Sequence, residues 1–188
     1  MKSARLFAAV SFADGERAAL AAAAGLLRGR CSAGRFTAPE LLHVTLHFFG
    51  QTKLDRLGDI EAAMRQAASA CEPFAMATGR AGIFGRGDRA VLWLGVDRGA
   101  GDLKALQARL SAALAERGFP PEDRPFRAHI TVARDVAFGG SPASVDLPEV
   151  PLAASAITLM ESTTAGGRLE YRPLLAVPLA RTDQTAGG

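Results

Sequence analysis

Two tetrapeptides, His43-Val44-Thr45-Leu46 and His129-Ile130-Thr131-Val132, repeat the order His, apolar, Thr, apolar at positions 86 residues apart in a chain of 188. Both alternate with period two among β-branched and aromatic neighbours, which favours strands over helices. In a strand the side chains at i and i+2 share a face. Each segment therefore turns a His and a Thr one way and two apolar residues the other, as a strand between a core and a cleft must. The surroundings repeat as well: RLFAAVSF, a helical stretch and HVTLHF come first, then AVLWLGV, a helical stretch and AHITVAR. An internal duplication about a pseudo-twofold axis is the expected architecture.

The remaining pattern fills in that frame. Strands are expected at Arg5–Phe12, Leu41–Phe49, Phe74–Phe84, Ala90–Val96, Ala128–Ala133, Leu152–Thr163 and Leu169–Leu179. Helices are expected at Gly15–Arg28, Leu54–Ala70 and Asp102–Arg117, the last with Leu103, Leu106, Leu110 and Leu114 on one face and Gly118 as its stop signal. The fold class is α+β: two pseudo-twofold-related lobes with antiparallel sheets flanked by helices, forming one bilobal domain over residues 1–180. The polar tail 181–188 is expected to be disordered. The segment FGRGDR at Phe84–Arg89 reads as a Gly-rich turn between strands, and its RGD tripeptide as part of that turn.

Composition narrows the chemistry. Three histidines and two cysteines, Cys31 and Cys71 in no CxxC spacing, are too few for a thiolate zinc finger or an iron–sulfur cluster. They support neither a disulfide framework nor a redox dithiol, and are expected to be buried free thiols. No apolar run reaches the length of a membrane span, and the N-terminal segment enters a strand pattern without a signal-peptide cleavage region, so a cytoplasmic protein is expected. The basic residues are 19 Arg against 3 Lys. That excess suits anionic partners, because the guanidinium fork matches phosphate, but GC-rich coding bias is the better explanation of it, so charge alone establishes no nucleic-acid function.

The His/Thr pairs are the constellation able to carry chemistry. At about 3.3 Å per residue a His and the Thr two places on stand roughly 6–7 Å apart, enough to flank a phosphate. Brought together about the pseudo-axis, the pairs place two imidazoles and two hydroxyls around one anion. One neutral His can take a proton from a nucleophile while the other, protonated, gives one to a leaving oxygen, and an unperturbed pKa near 6.5 makes both forms accessible. The Thr hydroxyls can donate to nonbridging oxygens. His47 completes HVTLH, but on a regular strand it stands about 13 Å from His43, too far to share a metal ion with it. It is read as a cleft-rim or structural residue.

With these motifs the chain resembles the two-histidine (2H) phosphoesterase superfamily, in particular the LigT-like RNA 2′,3′-cyclic phosphodiesterases once named 2′-5′ RNA ligases. The resemblance runs through RLFAAVSF at Arg5–Phe12, ELLHVTLHFFG at Glu40–Gly50, AVLWLGV at Ala90–Val96, RPFRAHITVAR at Arg124–Arg134 and ITLMESTTAGGRLEYRPL at Ile157–Leu174. It implies a V-shaped cleft between the lobes and opening of a terminal 2′,3′-cyclic phosphate to a 2′-phosphomonoester, with no metal and no cofactor. The implied partners are RNA ends carrying that group, tRNA fragments or cyclic nucleotides among them, with no membrane involved and the chain acting as a monomer.

Carried over by motif, the resemblance makes His43 the general acid, His129 the general base, and Thr45 and Thr131 the phosphate donors. Substrate-binding positions are Phe12 and Phe48 near the nucleobase, where core packing is the competing role, and Arg127 and Arg134 near the phosphate. A regular strand would put Arg134 on the face opposite His129, so its role requires a twist or a bulge. Two departures bear on cleft shape: Ala128 stands where the family usually has Pro, and the common Trp before the first motif is absent around Arg35–Phe36. The same site could instead serve small cyclic nucleotides or reversible 2′-5′ RNA ligation, and a non-catalytic RNA-end binding module is the reading from another class.

Overall fold

The computed structural model describes residues 2–86, 89–122 and 124–180. Expectations for the tail 181–188 and for the central Gly87-Asp88 of the RGD segment lie outside the described residues. Among the described residues nine strands and three helices run in the order β1 (Ser3–Ser11), α1 (Asp14–Arg28), β2 (Cys31–Phe36), β3 (His43–Lys53), α2 (Leu57–Ala68), β4 (Phe74–Phe84), β5 (Val91–Arg98), α3 (Ala100–Ala115), β6 (His129–Phe138), β7 (Pro151–Ala154), β8 (Ala156–Ala165) and β9 (Arg168–Pro178).

The strands form two antiparallel sheets, one ordered β3-β1-β8-β9 and the other β2-β6-β5-β4-β7. With β2 set aside, the orders correspond strand for strand: β3 matches β6, β1 matches β5, β8 matches β4 and β9 matches β7. The duplication expected from the paired motifs is therefore built into the sheets. Register repeats it, because His43 lies opposite Ser11 of β1 and His129 opposite Gly95 of β5. The lobes are not consecutive halves of the chain, however. The first sheet takes β1 and β3 from the N-terminal part and β8 and β9 from the C-terminal part, so the chain passes between lobes several times.

Two elements differ from the sequence pattern. The edge strand β2, CSAGRF, was not expected: it is largely exposed, has a Gly at its centre and shows no apolar alternation, and only its pairing with β6 makes it a strand. The expected strand Leu152–Thr163 divides at Ser155 into β7, which pairs with β4 of the second sheet, and β8, which pairs with β1 and β9 of the first. Both pieces alternate apolar residues, and periodicity does not register a change of sheet.

Helix α3 packs against β3 and β5, and α1 against β2. Leu103, Leu106, Leu110 and Leu114 of α3 are 0% exposed, and each contributes about 1.5–3 kcal/mol by leaving water. Helix α2 packs against α3, β8 and β9, and buries Ile60, Ala63 and Met64. The stop signal operates as the sequence suggests: Gly118 takes φ 75°, and the Phe119 N–H closes on Leu114 O at 3.0 Å. Cys31 and Cys71 are free thiols, half-buried rather than buried. Among the described residues no helix is long and apolar enough to cross a membrane.

Candidate active site

The motif strands β3 and β6 meet where the two sheets approach each other. Val44, Leu46, Ile130 and Val132 are at most 1% exposed and face the core, which leaves His43, Thr45, His129 and Thr131 for the cleft. Each His is held in the same way. His43 Nδ1 lies 2.6 Å from Leu41 O and His129 Nδ1 lies 2.7 Å from Arg127 O, both being carbonyls two residues upstream. A carbonyl only accepts, so in each ring Nδ1 carries the hydrogen and Nε2 is the atom left for proton transfer. His43 Nε2 accepts from Thr45 Oγ1 at 3.0 Å, a hydroxyl that an incoming phosphate oxygen would capture.

Each ring is also backed by two aromatic side chains. Phe7 of β1 and Tyr171 of β9 lie 4.9 and 5.3 Å from His43, and 4.8 Å from each other. Phe84 of β4 and Trp93 of β5 lie 4.9 and 6.5 Å from His129, and 5.0 Å from each other. Gly82, directly across from Trp93, permits this arrangement, because a Cβ there would stand 2.2 Å from the indole. These four residues were missed by sequence reasoning. The available signal was that Phe7 and Trp93 lie on the strands neighbouring the two motifs, and that Tyr171 is the single tyrosine of the chain.

A bulge at the same place in both motif strands sets the direction of the side chains beyond each Thr. Against β1, the register of β3 passes from Thr45 to His47, leaving Leu46 as the extra residue. Against β5, β6 passes from Thr131 to Ala133, leaving Val132 extra. An extra residue reverses the alternation beyond it. Leu46 and His47 are both buried, as are Val132 and Ala133, and the next residues, Phe48 and Arg134, return to the cleft. The obstacle that a regular strand raised for Arg134 is thereby removed. His47 moves the other way: it is 3% exposed, points off the face of His43 and packs on Phe49 at 4.8 Å.

The resulting cleft has a volume of about 770 Å³ and is walled by Thr45, Phe48, Phe84, Arg127, His129, Thr131 and Arg134 among others. His43 is the more deeply buried imidazole and borders the cleft through Thr45. Phe12 is placed otherwise than the family position suggests. It is 4% exposed and belongs to the hydrophobic core, so the competing role holds and it is no part of the cleft wall. Among the described residues no group of three or more His, Cys, Asp or Glu converges on a point.

Electrostatics set both imidazoles towards the neutral form. Burial is the larger cause for each, and the positive Arg134 adds to it, while the backbone carbonyls on Nδ1 oppose it; His43 also feels His129. Burial pushes the Tyr171 phenol up, against the pull of Arg134 and Arg5. The cleft is thus lined by Arg124, Arg127, Arg134 and two Thr hydroxyls, beside two imidazoles that burial and Arg134 set towards the neutral form.

A match to the family model described as the 2′-5′ RNA ligase superfamily extends over residues 18–161 and takes in both His/Thr motifs. The chain belongs to the 2′-5′ RNA ligase superfamily. Among solved structures, E. coli LigT complexed with 3′-AMP is similar over 96% of this chain and all of its own, at 27% identity and a TM-score of 0.78. Two proteins named RNA 2′,3′-cyclic phosphodiesterase also match. That of Aeropyrum pernix is 35% identical over 57% of this chain, and that of Geobacillus stearothermophilus 28% identical over all of it. The matched regions span 61% and 62% of those two relatives.

Proposed function

We propose that this superfamily member is an RNA 2′,3′-cyclic phosphodiesterase that opens the terminal cyclic phosphate to a 2′-phosphomonoester. The observation that carries the reading is the pair of matched imidazoles, each fixed through Nδ1 and each left with Nε2 for a proton, beside two Thr hydroxyls and Arg134. The relatives' names and the 3′-AMP held by E. coli LigT support the substrate class.

In the proposed reaction the cyclic phosphate occupies the space between Thr45 and Thr131, whose hydroxyls donate to its nonbridging oxygens while Arg134 balances its charge. His129, the more accessible ring, takes a proton from a water molecule through Nε2 as the water oxygen attacks phosphorus. The bond from phosphorus to the 3′ oxygen breaks, and protonated His43 gives its Nε2 proton to that oxygen. Burial and Arg134 oppose the charged form of His43, and the substrate anion supplies the compensating charge. The acid is thus loaded when it is needed. Solvent exchange returns both rings to their starting states.

Phosphorus NMR of an oligoribonucleotide ending in a 2′,3′-cyclic phosphate tests the reading. The expected result is conversion of the cyclic signal to a 2′-monoester; a persistent cyclic signal with saturable binding would favour the non-catalytic binding module, and a 3′-monoester would overturn the assigned leaving oxygen.

A further inference from the structure

A second cavity, of about 380 Å³, adjoins the catalytic cleft and shares Phe48, Glu122 and Arg124 with it. The rest of its wall is His47, Phe49 and Phe119 with Pro120 and Pro121. His47 lies 4.8 Å from Phe49, and Phe49 meets Phe119 edge-on at 5.5 Å. Arg56 fixes Phe119 from one side, with its guanidinium 4.3 Å from the ring centroid and a hydrogen bond to Arg117 O. Phe48 stands between the two spaces, 44% exposed, with Arg5 over its ring at 5.1 Å and its N–H donating to Glu122 Oε1 at 2.8 Å.

None of these features is needed to hold a cyclic phosphate, and together they describe a place for a flat ring. Aromatic walls already packed against one another lose little freedom on receiving a base. Arg124, at the junction of the two cavities, stands where a chain leaving the first for the second would carry its backbone phosphate. Glu122 uses one carboxylate oxygen on the Phe48 N–H and keeps the other, an acceptor suited to an exocyclic amino group.

Resting on the phosphodiesterase reading, we propose that this second cavity is the subsite for the penultimate nucleotide of the RNA. Its base lies between Phe48 and Phe119, and its amino group, where it has one, meets Glu122. The chain then distinguishes a true RNA end from a free cyclic mononucleotide, and adenine or cytosine from uracil at the upstream position.

The test compares kcat/KM for adenosine 2′,3′-cyclic phosphate with that for dinucleotides ending in the same group and carrying adenine, cytosine or uracil upstream. The adenine and cytosine dinucleotides are expected to exceed the mononucleotide about tenfold or more, with uracil behind them. Phe119→Leu and the exposed change Arg124→Gln should each reduce the dinucleotide-to-mononucleotide ratio, and Glu122→Gln should narrow the gap between the bases. Equal kcat/KM for mononucleotide and dinucleotide, or a ratio that neither variant moves, overturns the subsite and leaves the phosphodiesterase reading standing. Hydrolysis of none of the four substrates overturns both.

Discussion

Gly82→Ala reaches the site without touching the cleft. The new methyl carbon would lie 2.2, 2.4 and 2.8 Å from Cζ2, Cη2 and Cε2 of Trp93, where carbon atoms rest at about 3.5–4.0 Å. Relief requires the indole to move by roughly 1.5 Å, since ordinary contact distance has to be restored. The indole has few ways to move, because Phe84 lies 5.0 Å away and both rings stand against His129. Overpacking of this kind costs about 1–3 kcal/mol, which for a chain of this size lowers Tm by about 2–4 °C per kcal/mol. Displacement passed to the His129 ring should lower kcat about tenfold or more, because misplacement of a catalytic group by about 1 Å can cost a hundredfold. Thermal melts and turnover of a 2′,3′-cyclic nucleotide measure the two effects. The double variant with Trp93→Phe, which removes the ring the methyl strikes, should recover much of both. A Gly82→Ala protein with unchanged Tm and unchanged rate would refute the claim that the aromatic backing positions His129.

The same geometry sets three further outcomes. Arg134→Ala removes the cation that bulging brings into the cleft and should lower kcat/KM about 10- to 150-fold, as loss of a charge-assisted contact does; because Arg134 also disfavours protonation of His43 and His129, the pH optimum of kcat/KM, expected below about 6.5 in the parent, should move up in the variant. All three histidines have pKa values held below the ordinary one by burial, so the unfolded chain binds more protons below about pH 6.5 and stability should be present above that pH and fall away as pH drops. Urea midpoints against pH check this, and His47→Leu, which removes a buried ring whose Nδ1 has no partner among the described residues, should flatten the acid side of the curve. Phe12→Ala should cost about 3–5 kcal/mol of stability as a core truncation while leaving KM unchanged in the protein that remains folded; a raised KM would return Phe12 to the cleft.

The motif pairs were legible because alternation, apolar partners and duplication all act over a few residues, and these same local rules placed Val44, Leu46, Ile130 and Val132 in the core. The position of Arg134 was not legible. It depends on an extra residue at Val132 that shows only against the register of β5, and the same bulge at Leu46 sends His47 away from His43 and Phe48 into the cleft. The aromatic backing was hidden for a related reason: Tyr171 reaches His43 only because β8 and β9 return to the sheet begun by β1 and β3, a long-range pairing with no mark in local pattern. Strand β2 escaped notice because it buries little and forms through its neighbour β6 rather than through its own residues.

The division of labour between the two imidazoles is tested most directly with a cyclic phosphate whose 3′ oxygen is replaced by bridging sulfur, a leaving group that departs without a proton. On the natural substrate His43→Ala and His129→Ala should each reduce kcat by about 10²- to 10⁴-fold. On the sulfur substrate His43→Ala should regain a rate near that of the parent, while His129→Ala, still lacking its base, should not. Parent-like rates in both variants on the natural substrate, or rescue of His129→Ala in place of His43→Ala, would contradict the account.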